Sequence, residues 1–302
     1  MTAARHVWVD GRLLPADGRH LSAFDRGFQL GDGIFETLRA RGGRPTELAE
    51  HVARLRRSAD GLDIELPHDI DAQLAAGIAQ LLAADRFDGP SGDASIRITV
   101  SRGVFRGRGL LPPDELVQPT IAIQAWPVLE TPAGHLERGL HLIASTVRRD
   151  PRNPLATLKT VSRADSVYAR LEARRAGADD ALFLTIDGHL SEGTTSNVFL
   201  VRRASYGGLE LATPSLACAV LPGTTRSWLL SWGGRIGLRP VEGMFAPEDL
   251  IAADEAFLSS SVAGVLPVTR FEGAAIGTGA PGPWSRKARE DREAMIRGEA
   301  VE

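Results

Sequence analysis

Lysine is scarce in this chain of 302 residues: of 35 Lys and Arg residues, only Lys159 and Lys287 are lysine. Arginine carries the routine cationic work, so a retained lysine is a candidate for chemistry that arginine cannot do. An amine can lose its proton and attack a carbonyl, whereas a guanidinium stays charged. Lys287 lies in Ser285-Arg286-Lys287-Ala288-Arg289-Glu290-Asp291 and reads as part of a solvated helix. Lys159 lies in Pro154-Leu155-Ala156-Thr157-Leu158-Lys159-Thr160-Val161, with no other charge in that stretch. Apolar surroundings lower a lysine pKa, which makes Lys159 the candidate nucleophile. The alternative is an exposed loop lysine left by a coding bias.

Four other groups could bind or orient a ligand. His51 and Arg54 stand three apart on one helix face, where an arginine could clamp a phosphate; the spacing alone favours an ordinary surface arginine. Ser191-Glu192-Gly193-Thr194-Thr195-Ser196-Asn197 sets one carboxylate among small residues, as a ligand site or as a hydroxyl-rich turn. Leu221-Pro222-Gly223-Thr224-Thr225-Arg226 precedes a helix whose free N–H groups suit an anion. Ser259-Ser260-Ser261 could add a hydroxyl. Ordinary capping explains the last two equally well. The glycines of the segment 25–37 allow positive φ and, alone, mark a turn.

These side chains need a scaffold. Alternation predicts strands at 33–41, 94–101 and 119–125, and a hairpin about Asp10-Gly11. A spacing of three to four predicts helices at 48–62 and 69–85. Residues 126–134, rich in proline, read as a linker between a small domain at 1–125 and a larger one at 135–302. In the second domain, strands are expected at 140–147, 181–186, 197–202, 209–212, 256–259 and 265–270. Helices are expected at 162–176 and from 224, and a surface loop at 271–283. Strands cluster in hairpins with helices between, which predicts an α+β architecture.

The bulk numbers exclude several classes. A net charge of −3 with scattered arginines gives no basis for nucleic-acid binding. No apolar run approaches the roughly 20 residues of a membrane span, and the start has no signal-peptide core. One cysteine, Cys218, excludes an internal disulfide. A cytoplasmic protein is expected, with Cys218 packed as a small hydrophobe. The histidines lack paired ligand spacing, so no metal site is expected.

Taken together the segments resemble the class IV, fold-type IV, pyridoxal-phosphate aminotransferases, from about Val7 to Val268. The motifs that carry the resemblance are Arg26-Gly27-x-x-x-Gly31-Asp32-Gly33-x-Phe35-Glu36, His51-x-x-Arg54-Leu55, Leu158-Lys159-Thr160, Glu192-Gly193-x-x-Ser196-Asn197-x-Phe199 and Leu221-Pro222-Gly223-x-Thr225-Arg226, in family order. The resemblance implies a small N-terminal and a larger C-terminal α/β domain, a homodimer, and pyridoxal 5'-phosphate bound as a Schiff base to Lys159. It implies that Glu192 pairs with the pyridine nitrogen. Arg54, Thr224, Thr225 and Ser261 would hold the phosphate, and Phe35 would line the substrate side. The implied reaction is ping-pong transfer of an amino group from a small-molecule donor to a 2-oxo acid.

Within the family, Arg102-Gly103-Val104-Phe105-Arg106-Gly107-Arg108-Gly109 is similar to the arginine-bearing loop of D-amino-acid and (R)-amine transaminases. Arg108 stands one residue off that pattern, so Arg106 competes with it as the carboxylate clamp. Residues 103–113 read as a candidate lid. Lys159 followed by Arg163, Val167 and Arg170 resembles aminodeoxychorismate lyases, which give 4-aminobenzoate and pyruvate, whereas Glu36 is typical of the transaminases. The expectation is a D-amino-acid or (R)-amine aminotransferase. The lyase is the alternative, followed by a branched-chain aminotransferase or an inactive binding protein.

Overall fold

The computed structural model describes residues 5–112, 117–205 and 207–300. Pro113, the last residue of the expected lid, lies outside the described residues, as do the first four residues of the chain. The chain divides into two compact units, Met1–Leu129 with Leu158–Ser162, and Glu130–Thr157 with Arg163–Glu302.

The first unit opens on a hairpin of β1 (His6–Val9) and β2 (Arg12–Pro15). Asp10 and Gly11 both have positive φ, as a two-residue turn of this type requires. There follow α1 (Arg26–Leu30), β3 (Gly33–Arg41), β4 (Arg44–Pro45), α2 (Leu48–Asp60), α3 (Ile70–Ala84), β5 (Asp93–Ser101) and β6 (Thr120–Pro127). The strands form an antiparallel sheet in the order β2-β1-β6-β5-β3-β4. Ile34, Leu38 and Ala40 of β3 join Ile96, Ile98 and Val100 of β5 in a core with Val52 and Leu55 of α2 and Leu74 and Ile78 of α3. Side chains alternate along a strand, so Glu36 shares the parity of Ile34 and Leu38. Phe35 and Thr37 occupy the opposite face, paired with Thr99 and Arg97.

The lysine segment belongs to this unit, although it lies in the sequence span expected for the second domain. It docks along the edge of β3. Phe35 N donates to Lys159 O (2.9 Å), Val161 N to Gly33 O (3.0 Å), and Thr160 bridges Ile34. Two glycines permit this approach. A β-carbon at Gly61, just past α2, would strike the Leu158 side chain, and one at Gly31 would strike Ser162 Oγ. Gly31 also ends α1 with φ 68°, a left-handed conformation that favours glycine.

The second unit contains α4 (Ala133–Glu137), β7 (Leu140–Arg149), α5 (Ala164–Arg175), β8 (Asp180–Thr185), β9 (Leu190–Gly193), β10 (Asn197–Arg203), β11 (Leu209–Pro214), α6 (Thr224–Arg235), β12 (Arg239–Gly243), α7 (Pro247–Ile251), β13 (Glu255–Ser260), β14 (Gly264–Phe271), β15 (Ala274–Ala275) and α8 (Pro283–Arg297). Its sheet runs β12-β11-β10-β13-β14-β7-β8-β9, with β15 paired to β14. The β11–β12, β14–β7 and β7–β8 pairs are parallel and the others antiparallel. Leu229 and Trp232 of α6 and Ala288 of α8 pack with Phe199 and Phe257, whose rings stack at 5.4 Å.

The α+β architecture is observed, with local differences from the sequence reading. Trp126 and Pro127 continue β6 because they pair with Ser95 and Ala94, and Ala133 opens α4 within the stretch expected as a linker. Residues 274–275 form β15 inside the expected surface loop. The helix carrying Lys287 is not solvated all round, since Ser285, Ala288, Arg292 and Ile296 are buried. Cys218 is buried, and burial pushes its thiol pKa up.

Candidate active site

The candidate residues fall into two groups, one in each unit. In the first, Lys159 Nζ lies 4.7 Å from the centroid of the Phe35 ring, and the Arg97 guanidinium carbon lies 4.0 Å from the same centroid. An aromatic face attracts cations at such distances. Lys159 is half-buried, and its backbone N–H donates to Ser58 Oγ (3.1 Å), so α2 and β3 both fix it. Arg97 was not among the sequence candidates. The signal for it was the alternation of Ile96, Ile98 and Val100, which turns Arg97 to the Phe35 face.

Arg54 does not behave as the surface arginine its spacing suggested. It is buried and bound to Glu36 by two hydrogen bonds, Nε to Oε1 (2.8 Å) and Nη2 to Oε2 (2.6 Å). His51 Nδ1 lies 2.7 Å from Glu36 Oε2. Burial alone would raise the Glu36 pKa, but the hydrogen bonds from Arg54 and His51 outweigh it and hold the carboxyl at about 2. The fork-to-carboxylate geometry fixes the plane of the guanidinium.

Arg106 and Arg108 are both exposed, on the loop after β5. The loop is tied back by Arg26, whose Nη1 donates to Gly109 O (3.2 Å) and Nη2 to Leu110 O (2.8 Å). Arg26 Nε and Arg102 Nε both donate to Asp32 Oδ2, at 2.7 and 2.8 Å. Burial raises the Asp32 pKa, and the two arginines more than reverse this, so the carboxyl is held below its ordinary value.

In the second unit Glu192 is buried on β9. Its Oε2 accepts from Leu221 N (3.0 Å) and from Asn197 Nδ2 (3.4 Å), and Asn197 Nδ2 also donates to Leu221 O (3.1 Å). These bonds join β9 to the segment leading into α6. Gly223, the N-cap of α6, has no side-chain cap bond; a β-carbon there would collide with Asn197 Oδ1. The first turn of α6 therefore presents backbone N–H groups at the positive end of the helix dipole. Thr224 and Thr225 open it, and Thr224 Oγ1 meets Ser261 Oγ at 3.2 Å. The structure thus brings Thr224, Thr225 and Ser261 together. Ser259 Oγ is buried with no hydrogen-bond partner among the described residues. Arg163 donates to Thr194 O (2.6 Å). Burial pushes its pKa down, opposed by the charges of Glu192 and Asp165.

The first unit offers an amine beside an aromatic face, and the second a buried carboxylate and a helix start suited to an anion. The sequence profile described as Amino-transferase class IV matches residues 33–271. The chain is 32% identical to a putative branched-chain-amino-acid aminotransferase of Methanocaldococcus jannaschii, over 94% of each chain. It is 28% identical to a D-alanine aminotransferase of Bacillus licheniformis, over 98% of each. It is 31% identical to an aminodeoxychorismate lyase of Bacillus subtilis, over 88% of this chain and 86% of that one. Among solved structures, the Escherichia coli branched-chain amino acid aminotransferase superposes with a TM-score of 0.89 at 25% identity, covering 99% of this chain and 96% of that one. A second branched-chain amino acid aminotransferase, solved with pyridoxamine 5'-phosphate, gives a TM-score of 0.89 at 24% identity and the same coverage. The fold is that of the fold-type IV aminotransferases. The chain belongs to the class IV amino-transferase family.

Proposed function

We propose that this protein is a pyridoxal 5'-phosphate-dependent aminotransferase that takes an amino group from a D-amino acid or an (R)-amine and passes it to a 2-oxo acid. The observation that carries the reading is Lys159, one of two lysines in the chain, with its amine 4.7 Å from the centre of the Phe35 ring. The residues present fit the cofactor. The first turn of α6, with Thr224, Thr225 and Ser261, is a donor set for a phosphate. Glu192, buried and held by Leu221 and Asn197, is suited to a protonated ring nitrogen. Arg54, oriented by Glu36, is assigned to the phosphate as well.

When bound, the cofactor supplies an electron sink for the charge left on the substrate carbon. Lys159 Nζ would take the proton from that substrate carbon as base and, once protonated, serve as the acid. Glu192 would keep the ring nitrogen of a bound cofactor protonated. Phe35 lines the substrate side, where its apolar face keeps water from the amine. Arg106 or Arg108 clamps a substrate carboxylate, and the loop that carries them supports the D-amino-acid or (R)-amine preference. Leu21, Phe24, Phe28, Leu30, Leu110 and Leu111 are exposed around α1 and this loop. An apolar cluster of that kind suits a homodimer contact. A cytoplasmic location goes with this reading, since the one thiol is free and buried.

The test is a set of half-reactions on the purified protein. D-alanine or (R)-1-phenylethylamine should bleach its visible absorbance, and a 2-oxo acid should restore it. Activity with L-leucine alone would contradict the stereochemical assignment. Lyase activity is the second reading, favoured by Arg163 four residues after Lys159 and bonded to Thr194 O. It predicts pyruvate from aminodeoxychorismate with no amino acceptor added.

A further inference from the structure

The charged sequence of α8 predicts a solvated helix, yet Ser285, Ala288, Arg292 and Ile296 are buried along one face. Arg292 is 0% exposed, on a stripe whose other members are small or apolar. Enclosing a guanidinium is unfavourable unless its surroundings gain from the charge. Two of its neighbours lie on α6. Arg292 Nη2 donates to Thr225 Oγ1 (3.3 Å), and its guanidinium carbon stands 5.3 Å from the centroid of Trp228. Thr225 is the second residue of α6 and Trp228 the fifth, so the arginine rests on the first turn of that helix. The adjacent carboxylate, Asp291, accepts from Trp232 Nε1 (2.7 Å) and pairs with Lys287 (3.0 Å).

We propose that Arg292 is a positioning residue for the cofactor phosphate, acting through Thr225 and the first turn of α6. The bond to Thr225 fixes the direction of the first-turn amides. The fixed positive charge behind that turn adds to the field of the helix start, where an anion is favoured. This inference rests on the assignment of pyridoxal 5'-phosphate to this chain. Packing alone would give a different result: loss of Arg292 would then lower stability without touching the part of the affinity that comes from the phosphate.

The experiment compares pyridoxal 5'-phosphate with pyridoxal, which lacks the phosphate, by quenching of tryptophan fluorescence. The readout is the ratio of the two Kd values in wild type, Arg292→Gln and Arg292→Lys. R292Q should weaken pyridoxal 5'-phosphate by about tenfold, the scale of a partly buried charge at a helix end, and leave pyridoxal within about twofold. R292K keeps the charge and should retain most of the ratio. Should R292Q not fold, Arg292→Met, which keeps the length of the side chain and drops the charge and the donor, takes its place and should lower the ratio in the same direction. Equal weakening of both ligands, or no change in either, overturns the inference and leaves the cofactor assignment standing. Wild-type protein that binds neither ligand overturns both.

Discussion

Glu36 and Arg54 face each other through two hydrogen bonds beneath the helices of the first unit, Nε to Oε1 at 2.8 Å and Nη2 to Oε2 at 2.6 Å. The pair is enclosed, with side-chain exposures of 1% and 4%. Removing one partner of such a pair leaves the other charge buried, which costs about 3–5 kcal/mol. Glu36→Gln should therefore lose on the order of 3 kcal/mol in urea unfolding. An unchanged midpoint would mean that Arg54 finds an equivalent partner.

The same carboxyl predicts an acid limb of stability. The folded pKa, about 2, lies below the ordinary 4.5. Ionised Glu36 thus stabilises the fold above pH 4.5, and the contribution is lost as pH falls from 4.5 toward 2. A shift of this size corresponds to roughly 3 kcal/mol. Between pH 5 and 2.5, wild-type unfolding free energy should fall by about 2 kcal/mol more than that of E36Q, since the loss is complete only below pH 2. Parallel pH curves for the two proteins would contradict it.

Gly31 is both left-handed and in contact range of Ser162, four residues from the nucleophile candidate's own segment start at Leu158. Gly31→Ala should cost about 1–3 kcal/mol in backbone strain and displaced contacts, and should lower cofactor occupancy by shifting the lysine segment. Adding Ser162→Ala should recover part of the loss, since the side chain in the way is gone while the strain in φ remains. No recovery would place the whole effect in the backbone.

Arg26 holds the loop of Arg106 and Arg108 through the carbonyls of Gly109 and Leu110. A lysine cannot make both bonds while keeping Asp32. Arg26→Lys should raise KM for a carboxylate-bearing donor by about tenfold, the worth of one to two charged hydrogen bonds, with a smaller change in kcat. A fall in kcat at constant KM would show that this loop does not act in substrate binding.

Regular elements with apolar alternation or helical spacing were legible in the sequence, among them β3, α2, α3 and β5. Elements built by polar burial were not. β9 contains Ser191 and Glu192, both buried, and has no apolar pattern to mark it as a strand. By spacing alone Arg54 read as a surface cation, because its partner Glu36 is 18 residues away, and no local pattern marked Arg292, whose partner Thr225 is 67 residues away. The place of Lys159 was hidden for the same reason. Its segment is held by Gly31, Gly33, Phe35, Ser58 and Gly61 of the first unit, contacts that no local pattern records. The residue itself was legible from scarcity, since arginine fills nearly every other cationic position.

The assignment of Lys159 as the residue that carries the cofactor is tested most directly by borohydride reduction of the coloured protein, followed by peptide mapping of the pyridoxyl label. The label should fall on Lys159, and Lys159→Ala should be colourless and unlabelled though folded. A label on Lys287 or on the chain terminus, or none at all on coloured wild-type protein, would contradict the assignment.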